Sequence, residues 1–416
     1  MKTISRKLED RIVQSLDAFP VVYIAGPRQS GKTTLAKRIS STRHKAEYVT
    51  FDDLQLRSAV ARDPEAFLRG LKGPVVLDEV QMVPEIFRPL KIIVDENREK
   101  ENGGRGQFLL TGSASVMALP KLSDALVGRM ALHTLLPFSA CEIDKKSEQD
   151  FITRAFESEW HFEQTGDQNN HDMLLQASFP ELLTFKSDDL RHEWCNSYLN
   201  TILQRDVRVL LEVDKIASLP DMLHLFASRT GGVLNEAGLS RATELNHVTT
   251  KKYRILLENL FLTLSIPAWS SNLGKRLVKS PKVYLSDINF LLYLLNVGLE
   301  GLAVQNSKLW GAVLENFVVV ELSKQLTFSG TRARLFHYRT SAGQEVDFLL
   351  EGPQGKIVAV EVKATSKASA RDFRHIETLQ DDLGDKFHMG FVIYQGKDIV
   401  PFGDKMFAIP MNSLWR

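Results

Sequence analysis

Residues Gly26-Pro27-Arg28-Gln29-Ser30-Gly31-Lys32-Thr33 read G-x-x-x-x-G-K-[ST] at every fixed position. This octapeptide restricts the fold because it works only between a buried strand and a helix. Both flanks fit. Val21-Val22-Tyr23-Ile24-Ala25 is an apolar strand, and Thr34-Leu35-Ala36-Lys37-Arg38-Ile39 has helical spacing. Gly26 and Gly31 allow a tight turn in which successive N–H groups converge on an anion. The following helix adds its dipole at the same point. The binding set read from this run is Gly26, Pro27, Arg28, Gln29, Ser30, Gly31, Lys32, Thr33 and Thr34. Lys32 suits the β- and γ-phosphates of a nucleoside triphosphate, and the Thr33 hydroxyl suits Mg²⁺.

A second strand completes the pattern. Val75-Val76-Leu77 delivers Asp78 and Glu79 at its carboxyl end. Asp78 is expected to hold Mg²⁺ through water beside Thr33, and Glu79 to polarise the attacking water. The strand at 108–111 ends in Thr111-Gly112-Ser113, which places Ser113 as a γ-phosphate contact. Arg129 has two readings. It is an arginine finger for a neighbouring subunit's ATP, or an ordinary surface arginine.

The expected fold class is α/β. Strand and helix patterns alternate to about residue 140, which means a parallel sheet with helices on both faces. Ile4, Leu8, Ile12, Leu16 and Phe19 predict an amino-terminal helix against that domain. Residues 144–172 are polar and read as a helix and a flexible connection, with Thr165-Gly166-Asp167-Gln168-Asn169-Asn170 at its heart. The spacing predicts a helical region from 172 to 300 and a separate α/β unit from 301 to 416, after an ATPase core at 1–143.

Bulk properties exclude several classes. A chain of 416 residues needs more than one core. A net charge of +1 gives no global attraction to nucleic acid or acidic membrane. Two cysteines, Cys141 and Cys195, leave no disulfide framework and fit a reducing cytoplasm. The charged start of the chain is not a signal peptide, and the apolar run at 290–295 is too short to span a bilayer. A cytoplasmic protein with no membrane partner is expected.

These motifs together resemble the prokaryotic AAA-superfamily ATPases. More narrowly, they resemble the group whose ATPase domain precedes a C-terminal domain of unknown function. The later runs Ser178-Phe179-Pro180-Glu181, Arg205-Asp206, Lys282-Val283-Tyr284-Leu285-Ser286-Asp287 and Leu314-Glu315-Asn316 agree with that group. The resemblance implies ATP and Mg²⁺ as cofactors, and a homo-oligomer as a candidate assembly.

In the middle region, residues 234–239 and 246–250 read as helix, turn, helix. Thr249 is the expected cap, and Tyr253, Leu256, Leu257 and Leu260 the buried stripe. Lys251, Lys252 and Arg254 lie off that stripe and read as exposed. The run Lys275-Arg276-Leu277-Val278-Lys279-Ser280-Pro281-Lys282 adds charge. DNA is a candidate partner of this winged-helix-like surface; an ordinary solvated face is the other reading.

The C-terminal unit carries Glu345-Val346-Asp347 on one strand and Glu361-Val362-Lys363 on the next, joined by Gly352-Pro353-Gln354-Gly355. Glu361 and Lys363 share a sheet face. Asp347 and Glu361, with Glu315 from the preceding helix, can ligate Mg²⁺, and Lys363 can position a water for phosphodiester attack. The order resembles the PD-(D/E)xK nuclease core, and Lys367, Arg371 and Arg374 can follow a phosphate backbone. Two functions follow from the sequence: an ATPase coupled to a nucleic-acid-binding or nuclease-like domain, or an ATP-dependent switch whose C-terminal domain binds without cleaving.

Overall fold

The computed structural model describes residues 4–99, 103–113, 126–144, 149–157, 159–164, 171–207, 217–272, 274, 276, 279–299, 301–302 and 307–416. The first sheet has five strands: β1 (Val21–Ala25), β2 (Glu47–Thr50), β3 (Val75–Asp78), β4 (Phe108–Gly112) and β5 (Met130–Thr134). Their order is β2-β3-β4-β1-β5, and every neighbouring pair is parallel. β1, β3 and β4 are buried along their whole length because both faces are covered. Val21, Tyr23, Val75 and Leu77 pack on one face against Phe87, Leu90 and Val94. Val22, Ile24 and Val76 pack on the other against Ile12, Leu16, Leu35 and Ile39. Each such fully buried side chain contributes roughly 1.5–3 kcal/mol. Register aligns the carboxyl ends of β1, β3 and β4 at one edge, where the phosphate loop leaves the sheet.

The second sheet has seven strands, in the order β6-β13-β14-β12-β11-β10-β9. They are β6 (Glu163–Gln164), β9 (Arg334–Arg339), β10 (Glu345–Glu351), β11 (Ile357–Val362), β12 (Phe387–Tyr394), β13 (Asp398–Pro401) and β14 (Met406–Pro410). β9, β10 and β11 form an antiparallel meander, and β11 to β12 is a parallel crossover through the helix Ala370–Leu383. Within the polar stretch 144–172, residues 151–157 and 159–164 pack on this sheet. Phe151 and Trp160 meet Phe391 edge-on, and β6 pairs with β13. Residues 165–170 lie outside the described residues.

Between the sheets lie helices and the antiparallel pair β7 (Thr263–Ile266) and β8 (Lys282–Leu285). The helices Glu236–Thr243 and His247–Asn259 form the expected helix-turn-helix. Its cap is Asn246 rather than Thr249: the extended Asn246 accepts the Thr249 N–H at 2.8 Å. The helix Ser307–Phe328 is apolar nearly all round and runs through the middle of the molecule. One continuous core joins residues 140–302 to the C-terminal sheet through Val313, Leu314, Phe317 and Val318. This helix also reaches the first domain: Lys324 Nζ donates to Phe138 O (3.1 Å) as well as to Ala177 O of the helical region (2.7 Å), and Arg11 donates to Thr327 O. Among the described residues, no helix is long and apolar enough to cross a membrane.

Candidate functional site

The loop after β1 closes as its glycines require. A Cβ on Gly26 would stand 2.2 Å from Leu135 O, and Gly31 has φ 94°, so neither position accepts an ordinary side chain. Gln29 also takes a positive φ of 60°, which curls the loop around its own N–H groups. The helix Lys32–Thr42 begins directly after Gly31. Lys32 is 4% exposed, and its Nζ donates to Gly26 O (3.0 Å) and Pro27 O (2.8 Å). The Ser30 hydroxyl is buried and has no protein hydrogen-bond partner. From outside the loop, Arg6 donates to Ser30 O at 2.8 Å, and Tyr198 to Arg28 O at 3.2 Å.

Strand register brings Asp78 to Thr33. The Thr33 hydroxyl lies 3.2 and 3.0 Å from the two Asp78 oxygens. Tyr48 donates to Asp78 Oδ2 at 2.7 Å, and Thr111 donates to Asp78 Oδ1. Burial, and then the Asp78 carboxylate, push the Tyr48 phenol well up, so it remains a donor. Glu79 follows in a left-handed conformation, φ 60°, and its N–H donates to Thr111 Oγ1 at 3.1 Å. Gln81 bridges Glu79 to Ser113, donating to the Ser113 hydroxyl at 2.9 Å. A hydroxyl beside a carboxylate is a set of hard oxygen donors that fits Mg²⁺. Thr34 continues the helix. Arg129 forms a bidentate pair with Asp95 of the helix Phe87–Arg98, at 2.6 and 2.9 Å.

A cavity of about 440 Å³ opens beside this loop, lined among others by Arg28, Gln29, Glu79, Tyr198 and Arg205. Tyr198 sits on the helix Asp188–Thr201 and stacks on Phe290, 5.4 Å between centroids. The runs that are mute in sequence are joined here. Ser178 donates to Asp287 at 2.6 Å, and Asn316 pairs with both backbone groups of Leu285 at 3.1 and 2.9 Å. Arg205 belongs to the lining of the cavity beside the loop.

The C-terminal residues also meet. β10–β11 register places Phe348 opposite Val360, which sets Asp347 beside Glu361. Val362 N donates to Asp347 Oδ2 (2.9 Å), Asp347 N to Glu361 Oε2 (3.3 Å), and Lys363 Nζ to Glu361 Oε1 (2.7 Å). The residue missing from the sequence reading is Lys282. Grouped there with exposed charge, it is 1% exposed. Its Nζ stands 3.1 Å from Glu315, 2.8 Å from Glu345 and 3.9 Å from Asp347. Tyr284 donates to Glu315 at 2.6 Å. The only sequence signal is its place at the head of the apolar strand Lys282-Val283-Tyr284-Leu285. Burial opposes the Lys282 charge, yet Glu315, Asp347 and Glu345 together hold its ammonium well above the ordinary range. Burial and Asp347 push Glu315 up to about 7 and Glu361 up to about 8. Burial raises Asp347 too. Among the described residues, no group of three or more His, Cys, Asp or Glu side chains is placed to hold a metal ion. The carboxylates of Glu315, Asp347 and Glu361 are instead paired with Lys282, Lys363, Tyr284 and backbone N–H groups.

The basic surface is smaller than the sequence suggests. Lys251 and Lys252 are exposed, as are Lys367, Arg371 and Arg374. Arg254 is held by Glu258 at 3.3 Å. Arg276 forms a bidentate pair with Glu351, both contacts 2.8 Å, over the Trp269 ring. Lys275, Leu277 and Val278 lie outside the described residues.

A strand-loop-helix phosphate cradle with a Thr–Asp pair and a five-stranded parallel sheet defines a P-loop nucleotide-binding domain. Residues 18–144 match the family model described as AAA domain, so this segment is an AAA-type P-loop domain. Residues 167–300 match a domain of unknown function (DUF8612), and residues 310–414 another domain of unknown function (DUF4143). The chain is similar to uncharacterized protein Rv2008c of Mycobacterium tuberculosis and uncharacterized protein Mb2031c of Mycobacterium bovis. Each is 27% identical over 405 residues, 97% of this chain and 83% of the relative. Among solved structures it is similar to the Walker-type ATPase PABY2304 of Pyrococcus abyssi, at 14% identity and TM-score 0.41 over 70% of this chain and 96% of that one. It is also similar to a RuvB variant of Thermotoga maritima, at 16% identity and TM-score 0.31 over 64% and 90%.

Proposed function

We propose that this chain is a Mg²⁺-dependent ATP hydrolase that acts as a cytoplasmic switch, its nucleotide state read by the helical region and passed to the C-terminal domain. The observation that carries the reading is Thr33 within 3.2 Å of both Asp78 oxygens at the mouth of the phosphate loop, with Glu79 next in the chain. ATP phosphates bind on the loop N–H groups and on the N-terminus of the helix Lys32–Thr42. Lys32 exchanges its two carbonyl partners for phosphate oxygens. Thr33 and Asp78 would hold Mg²⁺, which neutralises phosphate charge when bound. Glu79 orients the attacking water, and the Gln81–Ser113 pair fixes the Glu79 carboxylate. Arg205, across the same cavity, brings a cation from the helical region to the γ-phosphate.

Coupling has a contiguous path. Tyr198 touches the loop at Arg28 O and stacks on Phe290, whose helix Ile288–Leu295 follows β8 directly. An arginine-finger role for Arg129 would require release of its pair with Asp95. Lys251 and Lys252, with exposed Val248 in the first turn of the helix His247–Asn259, are the surface proposed for DNA. A nuclease is the second reading, favoured by Asp347 and Glu361 on adjacent strands with Lys363 just past the end of β11. The test is ATP turnover together with Mg²⁺-dependent degradation of labelled single- and double-stranded DNA, for wild type, Lys32→Ala and Asp347→Ala. Turnover lost only in Lys32→Ala, with no cleavage by any protein, supports the switch. Absence of turnover in the wild type overturns the ATPase, and cleavage lost in Asp347→Ala moves the reading to a nuclease.

A further inference from the structure

We propose that the ε-ammonium of Lys282 is the resident cation of the C-terminal carboxylate set, so that this set takes no divalent metal and serves a non-cleaving domain. Three observations carry this. The first is place. Lys282 Nζ sits among Glu315 of the helix Ser307–Phe328 and Glu345 and Asp347 of β10, at 3.1, 2.8 and 3.9 Å. The second is saturation. Asp347 Oδ2 is taken by Val362 N, the two Glu361 oxygens by Lys363 and Asp347 N, and Glu315 Oε1 by Tyr284 as well as Lys282. A Mg²⁺ ion needs oxygens at about 2.0–2.1 Å in a near-octahedral shell, and here it would compete with those donors for Glu361, Asp347 Oδ2 and Glu315 Oε1.

The third is anchoring. Lys282 lies on β8, paired with Ile266 on one side and bridged to Val233 on the other, and Leu234 N donates to Pro281 O at 2.8 Å. The backbone of Lys282 is thereby fixed beside the carboxylates, and its ammonium is held by the three contacts above. A divalent ion entering beside it would meet a like charge in a buried site, which is unfavourable where water does not screen. The inference concerns the C-terminal set alone and stands apart from the ATPase reading; it decides against the nuclease.

The experiment counts bound Mn²⁺ by the electron paramagnetic resonance signal of the free ion, on the full chain without nucleotide. Wild type and Asp347→Asn should bind the same number. Lys282→Met should gain one site per chain, and Lys282→Met combined with Asp347→Asn should lose it. A wild-type protein that binds one more Mn²⁺ than Asp347→Asn overturns the proposal. So does a folded Lys282→Met that gains none. If Lys282→Met does not fold, the comparison of wild type with Asp347→Asn and with Glu361→Gln decides alone. Because the readout is metal binding, failure here leaves ATP turnover untouched, and loss of turnover elsewhere leaves this count untouched.

Discussion

Among the described residues three lysines are buried, Lys32 at 4% exposure, Lys324 at 3% and Lys282 at 1%, and the first and last behave as opposites because their partners differ. Lys32 donates to two neutral carbonyls of its own loop. With a charged donor such bonds are worth about 1.5–3 kcal/mol each, yet a phosphate oxygen that brings a full opposite charge outcompetes them. Lys282 faces three carboxylates from two other elements. Ion pairs in a low-dielectric interior do not exchange so freely, and removing one partner leaves uncompensated charge. The first lysine is poised for a ligand; the second already fills its site. A cation in a protein is available for chemistry only when its resting partners are weaker than the incoming one.

The comparison can be broken at several points. Lys32→Ala should reduce ATP turnover by about 10²–10³-fold, the loss typical of one preorganised charge in a reacting site, measured by phosphate release with far-UV circular dichroism unchanged. Glu79→Gln should reduce turnover by roughly 10²–10⁴-fold while nucleotide binding survives, as for loss of a general base; loss of binding as well would move Glu79 to a structural role. Lys282→Ala should leave the loop intact but destabilise the chain by about 3–5 kcal/mol in urea denaturation, the usual result of orphaning a buried charge. An unchanged midpoint would remove Lys282 from the description given above.

The same site sets a pH dependence. Glu315 and Glu361 have folded values of about 7 and about 8 against an ordinary 4.5, in an environment shared with Asp347, Lys282, Lys363 and Tyr284. Between 4.5 and those values the folded chain binds more protons than the unfolded chain. Stability contributed by these two groups is therefore full below pH 4.5 and is lost as pH rises through about 7 and about 8. Glu361→Gln should flatten that decline in melts taken from pH 5 to 9. The smallest effect should come from Tyr198→Phe, which removes one neutral hydrogen bond to Arg28 O at 3.2 Å. A change of about 1 kcal/mol is expected in ATP binding; Arg205→Ala should exceed it.

Legibility followed contact range. The phosphate loop was readable because eight consecutive residues with two glycines leave the backbone few alternatives. Asp347 beside Glu361 was readable because a short turn fixes hairpin register. Lys282 was not. Its run looks like surface charge, and its carboxylates lie 33, 63 and 65 positions along the chain. Arg276 and Arg254 misled in the same way, each being held by a glutamate. One apolar core runs through both the helical region and the C-terminal unit, a contact between distant segments that local spacing does not encode.

From its sequence alone this chain had to build a parallel sheet around a phosphate loop. The glycine positions, the apolar strands and the carboxylates at strand ends are local and short-range requirements. Tertiary structure alone decided which charges remained free for chemistry. It placed Arg205 on the cavity beside the phosphate loop, tied Arg129 to Asp95, and buried Lys282 among Glu315, Glu345 and Asp347. The physical reason is that a side chain's charge is written in the sequence, but its partners and its dielectric surroundings arise only when distant segments pack together.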